Sequence, residues 1–371
     1  MIPFRTAHAG GTDWREAANA CAEQIGDSAA GARLGFLYVT DHLADHLGDV
    51  LDVMRKRTGI VEWVGTVGMG ICVDDREYFD QPAVAAMVAT LPTDSFRILP
   101  ALRDDLSGMT EGDSDWIDRH SPAFGVVHGD PTHALTPALI EALSDEGTCF
   151  LVGGLSSSRG RNPQIAGRME DSCVSGVLFA PAIEVATGLT QGCTPVGPVH
   201  TITESAENVL MTLDGKPALD VFKSDIGELL ARDLNRVGGY IHAAIPIPGS
   251  DTGDYTVRNL VAIDPAKGWL AIGERVSEGD RVMFVRRDPQ SAEIDLRHML
   301  ERLRKRLNGA PRGALYFSCV GRGASMFGAE GREVALIREV LGAVPLIGFF
   351  GNGEISRDRI YGYTGVLTLF T

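Results

Sequence analysis

A thiol, a guanidinium and a carboxylate stand among glycines near the C-terminus. The first run is Ser318-Cys319-Val320-Gly321-Arg322-Gly323; the second is Gly348-Phe349-Phe350-Gly351-Asn352-Gly353-Glu354. Each closes an apolar stretch of strand length, and ligands of α/β sheets collect at such strand exits. Gly321, Gly323, Gly351 and Gly353 let backbone amides approach a ligand without side-chain obstruction. Arg322 has the fork that suits a carboxylate. Glu354 or Asn352 suits an ammonium or an amide, and the segment Gln191-Gly192-Cys193 supplies a further wall. These residues describe a pocket for a small polar metabolite. They also fit a packing role, with Cys319 a small core filler and Glu354 a turn carboxylate.

Rival chemistries ask for groups the motifs lack. A catalytic thiolate needs an adjacent base or cation. Arg322 stands near Cys319 and is expected to help it ionise, but neither motif holds a histidine, so the chain reads as a binder before it reads as a conventional enzyme. Haem would need an axial ligand, for which His128, His200 and His242 qualify because each adjoins an apolar stretch. No CxxCH is present, so such a haem would be non-covalent; otherwise no cofactor is expected. His42 and His46 are four apart on a helix with no evident third ligand, which is the usual look of a solvated helix edge. Gly65-Thr66-Val67-Gly68-Met69-Gly70 has its glycines in the wrong order for a dinucleotide fingerprint, and Gly321-Arg322-Gly323 lacks the Lys of a P-loop. The loop Ser156-Ser157-Ser158-Arg159-Gly160-Arg161 is either an anion site or a flexible connection.

A formal charge of -15 repels phosphate backbones and argues against a nucleic-acid partner. No apolar run reaches the length of a membrane span and the N-terminus has no export leader, so a cytoplasmic protein is expected. The six cysteines form no CxxC pair and several lie in apolar runs, as buried reduced thiols do.

The elements that must position these groups recur three times as strand, amphipathic helix, strand, glycines. The first copy spans Leu34–Val39, a helix from Asp41 to Arg57 with Asp41 as cap, and Ile60–Val64. Its apolar stripe is Leu43, Leu47, Val50, Leu51 and Met54, and Gly59 suits a left-handed helix end. The second spans Phe124–His128, a helix over Pro137–Leu143, and Cys149–Val152. The third spans Ala314–Cys319, a helix over Arg332–Leu341, and Leu346–Ile347. Between the second and third, Tyr240–Pro248, Val257–Asp264, Trp269–Ile272 and Arg281–Arg286 read as antiparallel strands with turns at Pro248-Gly249-Ser250 and Glu278-Gly279-Asp280. Leu296, Met299, Leu300, Leu303 and Leu307 mark one more amphipathic helix whose wet side carries the basic residues. The fold class is α/β, with mixed β-sheets and flanking helices built from repeated β-α-β units plus an antiparallel block. The domains divide as 1–190, a Gly/Pro/Thr-rich linking segment 191–218, and 219–371.

Cys319-Val320-Gly321-Arg322-Gly323 followed by Pro345 to Ile355 resembles the signature of the FIST C-terminal domain. Gly188 to Gly197 is similar to the family's linking segment. Trp63 to Gly68, Gly153-Gly154 and Cys173 to Phe179 resemble the FIST N-terminal domain. The resemblance implies a sensory module of signal transduction that binds small ligands, amino acids among those proposed, with one branch binding haem to sense nitric oxide. It carries the family's motif onto Cys319 to Gly323 and Gly351 to Glu354. No kinase, cyclase or methyl-accepting region is recognised, so the expected output is a separate protein partner.

Overall fold

The computed structural model describes residues 4–26, 31–147, 149–247 and 254–371. It divides into two compact units: residues 1–191 together with 293–371, and residues 192–292. The α/β reading holds, with mixed sheets flanked by helices.

The larger unit is one motif used three times. Each copy supplies an outer strand, a parallel pair joined by a helix, a short hairpin and a closing antiparallel strand. The parallel pairs are Leu34–Thr40 with Glu62–Gly68, Phe124–Gly129 with Phe150–Leu155, and Gly313–Cys319 with Leu346–Gly351. The closing strands Ala83–Ala89, Val174–Phe179 and Thr364–Phe370 run antiparallel beside the first strand of each pair. The outer strands Phe4–Gly10, Phe96–Leu102 and Val185–Gln191 complete that flank.

The hairpins do not stay at home. The hairpin Gly70–Val73/Arg76–Phe79 of the first copy adds to the sheet of the third. The hairpin Gln164–Ala166/Arg168–Glu170 of the second adds to the first, and Glu354–Ser356/Arg359–Tyr361 of the third adds to the second. The result is three six-stranded sheets, each completed by its neighbour.

The inner faces of the sheets meet in one core that holds Phe36, Tyr38, Val126, Phe317, Phe349 and Val366. The repeat is visible in the register. Gly65, Gly153 and Gly348 pair with Leu37, Val127 and Tyr316 at one common position. A Cβ there would stand 1.6–1.8 Å from the partner's carbonyl oxygen, so only glycine lets the parallel strands close. One residue on, Tyr38, His128 and Phe317 occupy equivalent places and converge, with ring centroids 5.5–6.4 Å apart.

Helices cover the outer faces. Leu43, Leu47, Val50, Leu51 and Met54 are all buried, as their spacing requires, and Gly59 ends the helix at φ 72°. The helix begins differently from expectation: Asp41–His46 is a 3-10 turn, and the α-helix is Leu47–Thr58. Asp41 does not cap it, because its carboxylate accepts the backbone N–H of Arg159 at 3.0 Å. In the basic helix Pro289–Arg306, the side chains of Leu296, Met299, Leu300 and Leu303 are buried as predicted.

The smaller unit is an antiparallel barrel. Arg281–Arg287, His200–Ala206, Val209–Leu213, Trp269–Ile272, Tyr255–Asp264 and Ile241–Pro246 pair in that order, and the last returns to the first. The four strands expected from the sequence are present; the turn at Pro248-Gly249-Ser250 lies outside the described residues. The segment 191–218, read as a link, instead begins the barrel with two paired strands. The turn from the second of these into Lys216–Pro217 uses left-handed Asp214 and Gly215, at φ 49° and 76°, where a two-residue hairpin demands them. Residues from 293 onward belong to the first unit, where their strands complete its three-sheet core.

Candidate functional site

The third parallel pair ends at Cys319 and Gly351, which face each other in register. Beyond Cys319 the chain turns through Gly321 and Arg322 into a short helix, Gly323–Phe327. Gly323, at φ 54°, turns the chain where a Cβ would come within 2.9 Å of the Phe79 ring, and its N–H donates to Glu333 Oε2 at 3.1 Å. Beyond Gly351, the turn at Asn352 and Gly353 leads into the exchanged hairpin, so that Glu354 pairs with Gly154 of the second copy.

Arg322 is buried outright, and so is its partner. Its Nε donates to Glu333 Oε1 at 2.8 Å, and that oxygen also accepts from Tyr316 Oη at 2.6 Å and Ser318 Oγ at 3.0 Å. The fork therefore holds a carboxylate of this chain. Burial pulls the guanidinium's pKa down, but the charge of Glu333, with Tyr316 and Glu354, more than offsets it and leaves the pKa raised. Arg322 Nη2 has no hydrogen-bond partner among the described residues.

Glu354 is fully buried. Its Oε2 accepts the backbone N–H of Thr364 at 3.1 Å and the Thr364 hydroxyl at 2.7 Å. Its Oε1 has no partner among the described residues. Burial pushes its pKa up to about 8, against the Thr364 bonds and the Arg322 charge, while Glu333 pushes in the same direction as burial.

Cys319 is 8% exposed. The sequence led to the expectation that Arg322 would help the thiol ionise; the structure reverses it. Burial and then the charge of Glu354 raise it to about 12, and the opposing pull of Arg322 is the smaller effect. Cys149 and Cys173 are raised to about 12 as well. Asn352 is exposed, and its N–H donates to Leu155 O at 3.0 Å.

Gln191 ends the outer strand opposite Thr364, the residue that caps Glu354, and its N–H donates to Asp295 Oδ2 at 2.7 Å. Cys193 belongs to the barrel, pairs with Arg287, and its carbonyl accepts from Tyr255 Oη at 2.6 Å.

Three participants were missed in the sequence: Glu333, Thr364 and Gln164. Glu333 sits in the first turn of the helix Arg332–Leu341, where an acidic residue is unremarkable. Thr364 follows Tyr363 with no pattern to single it out. Gln164 occupies in the second copy the register that Glu354 occupies in the third, since Gln164 pairs with Thr66 and Glu354 with Gly154. Its carboxamide is fully used: Nε2 donates to Cys173 O at 2.9 Å and Oε1 accepts from Ser175 Oγ at 2.8 Å.

The other candidates are engaged elsewhere. His128 is fully buried, its Nε2 lies 3.0 Å from Tyr38 Oη, and burial lowers its pKa to about 3. His200 is held at both ring nitrogens, by Asp214 at 2.6 Å and Asp225 at 2.8 Å. His242 is buried in a barrel strand. Neither His128 Nε2 nor His200 is poised to take an iron. His46 stacks on Trp14 and meets Asp49 at 3.1 Å. The Ser156–Arg161 loop is pinned: Ser157 Oγ accepts from Met69 N at 2.8 Å, Arg159 pairs with Asp80, and Arg161 with Asp171. No helix among the described residues is long and apolar enough to cross a membrane.

The FIST N domain model matches residues 33–216 and the FIST C domain model residues 218–357. An uncharacterised protein of Mycobacterium tuberculosis is 31% identical over 96% of both chains, and one of Mycobacterium bovis is 32% identical over 96% of both. Human F-box only protein 22 is 53% identical over 45 residues, which are 12% of this chain and 11% of that protein. Domains of this kind are generally small-ligand-binding sensory domains in signalling. With both models matching in order along most of its length, the chain belongs to the FIST family.

Proposed function

We propose that this protein is a cytoplasmic sensor that binds a small polar metabolite where the Cys319–Gly323 and Gly351–Glu354 turns meet, and passes the signal to a separate protein. One observation carries the reading: Arg322 Nη2 and Glu354 Oε1 are buried polar atoms without partners among the described residues. Leaving a buried polar atom unpaired costs about 1–3 kcal/mol. The second copy supplies the contrast, because the carboxamide of Gln164 at the equivalent position is fully bonded. A fold that satisfies this position once and leaves it open once is holding the open one for a ligand.

Binding fits better than turnover. The thiol, raised to about 12 by burial and then by the charge of Glu354, is a poor nucleophile at neutral pH. The test is a thermal-shift screen of small polar metabolites, amino acids included, against the wild-type chain and Glu354→Leu. Compounds that raise the melting temperature of the first and not the second support the site. A screen in which every hit stabilises both proteins equally overturns it. Haemin is titrated in the same series: a sharp Soret band at about one equivalent would support the gas-sensing branch, and an unshifted spectrum would remove it.

A further inference from the structure

The charge of the ligand follows from how Glu354 is held, and this rests on the reading of the two turns as a ligand site. Both Thr364 donors converge on Oε2, at 3.1 and 2.7 Å. Oε2 is thus an acceptor whatever the protonation state, and a proton on this carboxyl must sit on Oε1. No cation among the described residues is bonded to it. Arg322 gives its Nε to Glu333 at 2.8 Å and directs Nη1 at the Tyr363 carbonyl at 3.5 Å. A carboxyl wholly removed from water, with no bonded cation, takes up a proton. The charged and bonded groups around it oppose this on balance, and burial outweighs them. Glu333 favours the protonated form and Arg322 opposes it, while Cys319, at about 12, remains a thiol. Tyr361, across the hairpin, is buried.

In the neutral site both unpaired atoms are donors: Oε1–H of Glu354 and Nη2–H of Arg322. Two neighbouring buried donors select an oxyanion, and a guanidinium as one of them strengthens the preference. The geometry points to a small carboxylate as the ligand, held between Arg322 Nη2 and Glu354 Oε1–H, the proton being taken up with it only where the free carboxyl is ionised. Size is limited by closure: Arg322 is 1% and Glu354 0% exposed. The clefts of 460–720 Å³ in the larger unit are lined by other residues. A ligand bonded to both atoms must therefore be small.

The test uses the full chain with acetate, methylammonium and acetamide as probes. Site occupancy is read from the side-chain carboxyl resonance of Glu354, in protein labelled with ¹³C at glutamate Cδ and assigned by its loss in Glu354→Gln. Affinity is read by calorimetry. Acetate should shift that resonance and bind about tenfold more weakly at pH 9 than at pH 7, because each pH step above the carboxyl's pKa removes about tenfold of the competent form. Glu354→Gln should bind acetate at both pH values as the wild type does at pH 7, since an amide keeps one donor on this atom; Gln164 at the equivalent register shows that the fold accepts it. Should that variant fail to fold, proton uptake by the wild type, measured in two buffers of different ionisation enthalpy, decides. At pH 9, where the free carboxyl is ionised, uptake near one proton per acetate supports the proposal and none overturns it. Methylammonium binding in place of acetate, or affinity rising with pH, overturns the carboxylate and leaves the ligand site standing. If no probe moves the Glu354 resonance, the two orphaned atoms hold water alone and both readings fall.

Discussion

Replacing Glu333 by Gln should cost this protein more than almost any other single charge change. The carboxylate is fully buried and accepts four hydrogen bonds: from Tyr316 at 2.6 Å, Arg322 at 2.8 Å and Ser318 at 3.0 Å on Oε1, and from Gly323 N at 3.1 Å on Oε2. Glutamine of nearly the same shape keeps an acceptor on one side only. Its NH₂ must then face a donor, either the Gly323 amide or the cluster of three. Worse, Arg322 loses its bonded counter-charge in a place where water does not reach. Breaking one member of a buried pair typically costs about 3–5 kcal/mol. The loss should appear as a lower urea midpoint for the larger unit, followed by fluorescence of Trp63, which is fully buried there. Arg322→Met combined with Glu333→Gln should recover part of that loss, because no uncompensated charge remains; the shortfall from additivity measures the pair. A cost below about 1 kcal/mol for Glu333→Gln, or strict additivity in the double variant, would refute the view that Glu333 neutralises Arg322 and fixes the turn.

Leu47→Ala should destabilise the larger unit by about 2–5 kcal/mol, since the side chain is fully buried; an unchanged midpoint would mean its packing is not core packing. In the barrel, burial lowers the pKa of His200 but the bonds to Asp214 and Asp225 more than reverse this, so the folded pKa is raised. The stabilisation is therefore complete below the unfolded value near 6.5 and fades as pH rises through the folded one. Barrel stability should fall across that window in the wild type and stay flat in His200→Gln; equal slopes would separate the clamp from stability. Cys319, 8% exposed against 2% for Cys149 and 0% for Cys173, should react with iodoacetamide before either. Its rate should climb about tenfold per pH unit up to pH 10, and a plateau near neutrality would show that the thiol ionises far more readily than its burial implies.

Much of this architecture is written in periodicity. Leu43, Leu47, Val50 and Met54 could be assigned to a buried face because a helix repeats every 3.6 residues and nothing else in the segment competes. The barrel strands from Tyr240 onward alternate cleanly. The hairpins were illegible for a physical reason: Gln164–Ala166 and Glu354–Ser356 are three residues long, too short for any period, and their partners lie in another copy of the motif. The segment 191–218 looked like a link because Gly192, Pro195, Gly197 and Pro198 crowd its start, although Ile202, Leu210 and Leu213 are buried. The site showed the same division. Glycines and polar residues at strand exits located Arg322 and Glu354, whereas depth of burial, which decides the ionisation of Cys319 and Glu354, depends on sheets that meet from remote parts of the chain.

The exchange of hairpins bears on how the polypeptide matures during synthesis. When the first copy leaves the ribosome its hairpin has no sheet to join, because Leu346–Gly351 is among the last strands made. Its own sheet must wait for Gln164–Ala166, and the second sheet for Glu354–Ser356. Nascent chains therefore carry unpaired edges until termination, the condition under which chaperone dependence and aggregation are greatest. The two halves recognised by their sequence, 33–216 and 218–357, part within the barrel, between one strand and the helix that follows. Neither half, expressed by itself, contains a finished sheet of the larger unit, so fragments cut there are expected to be insoluble however faithfully they follow the family's borders.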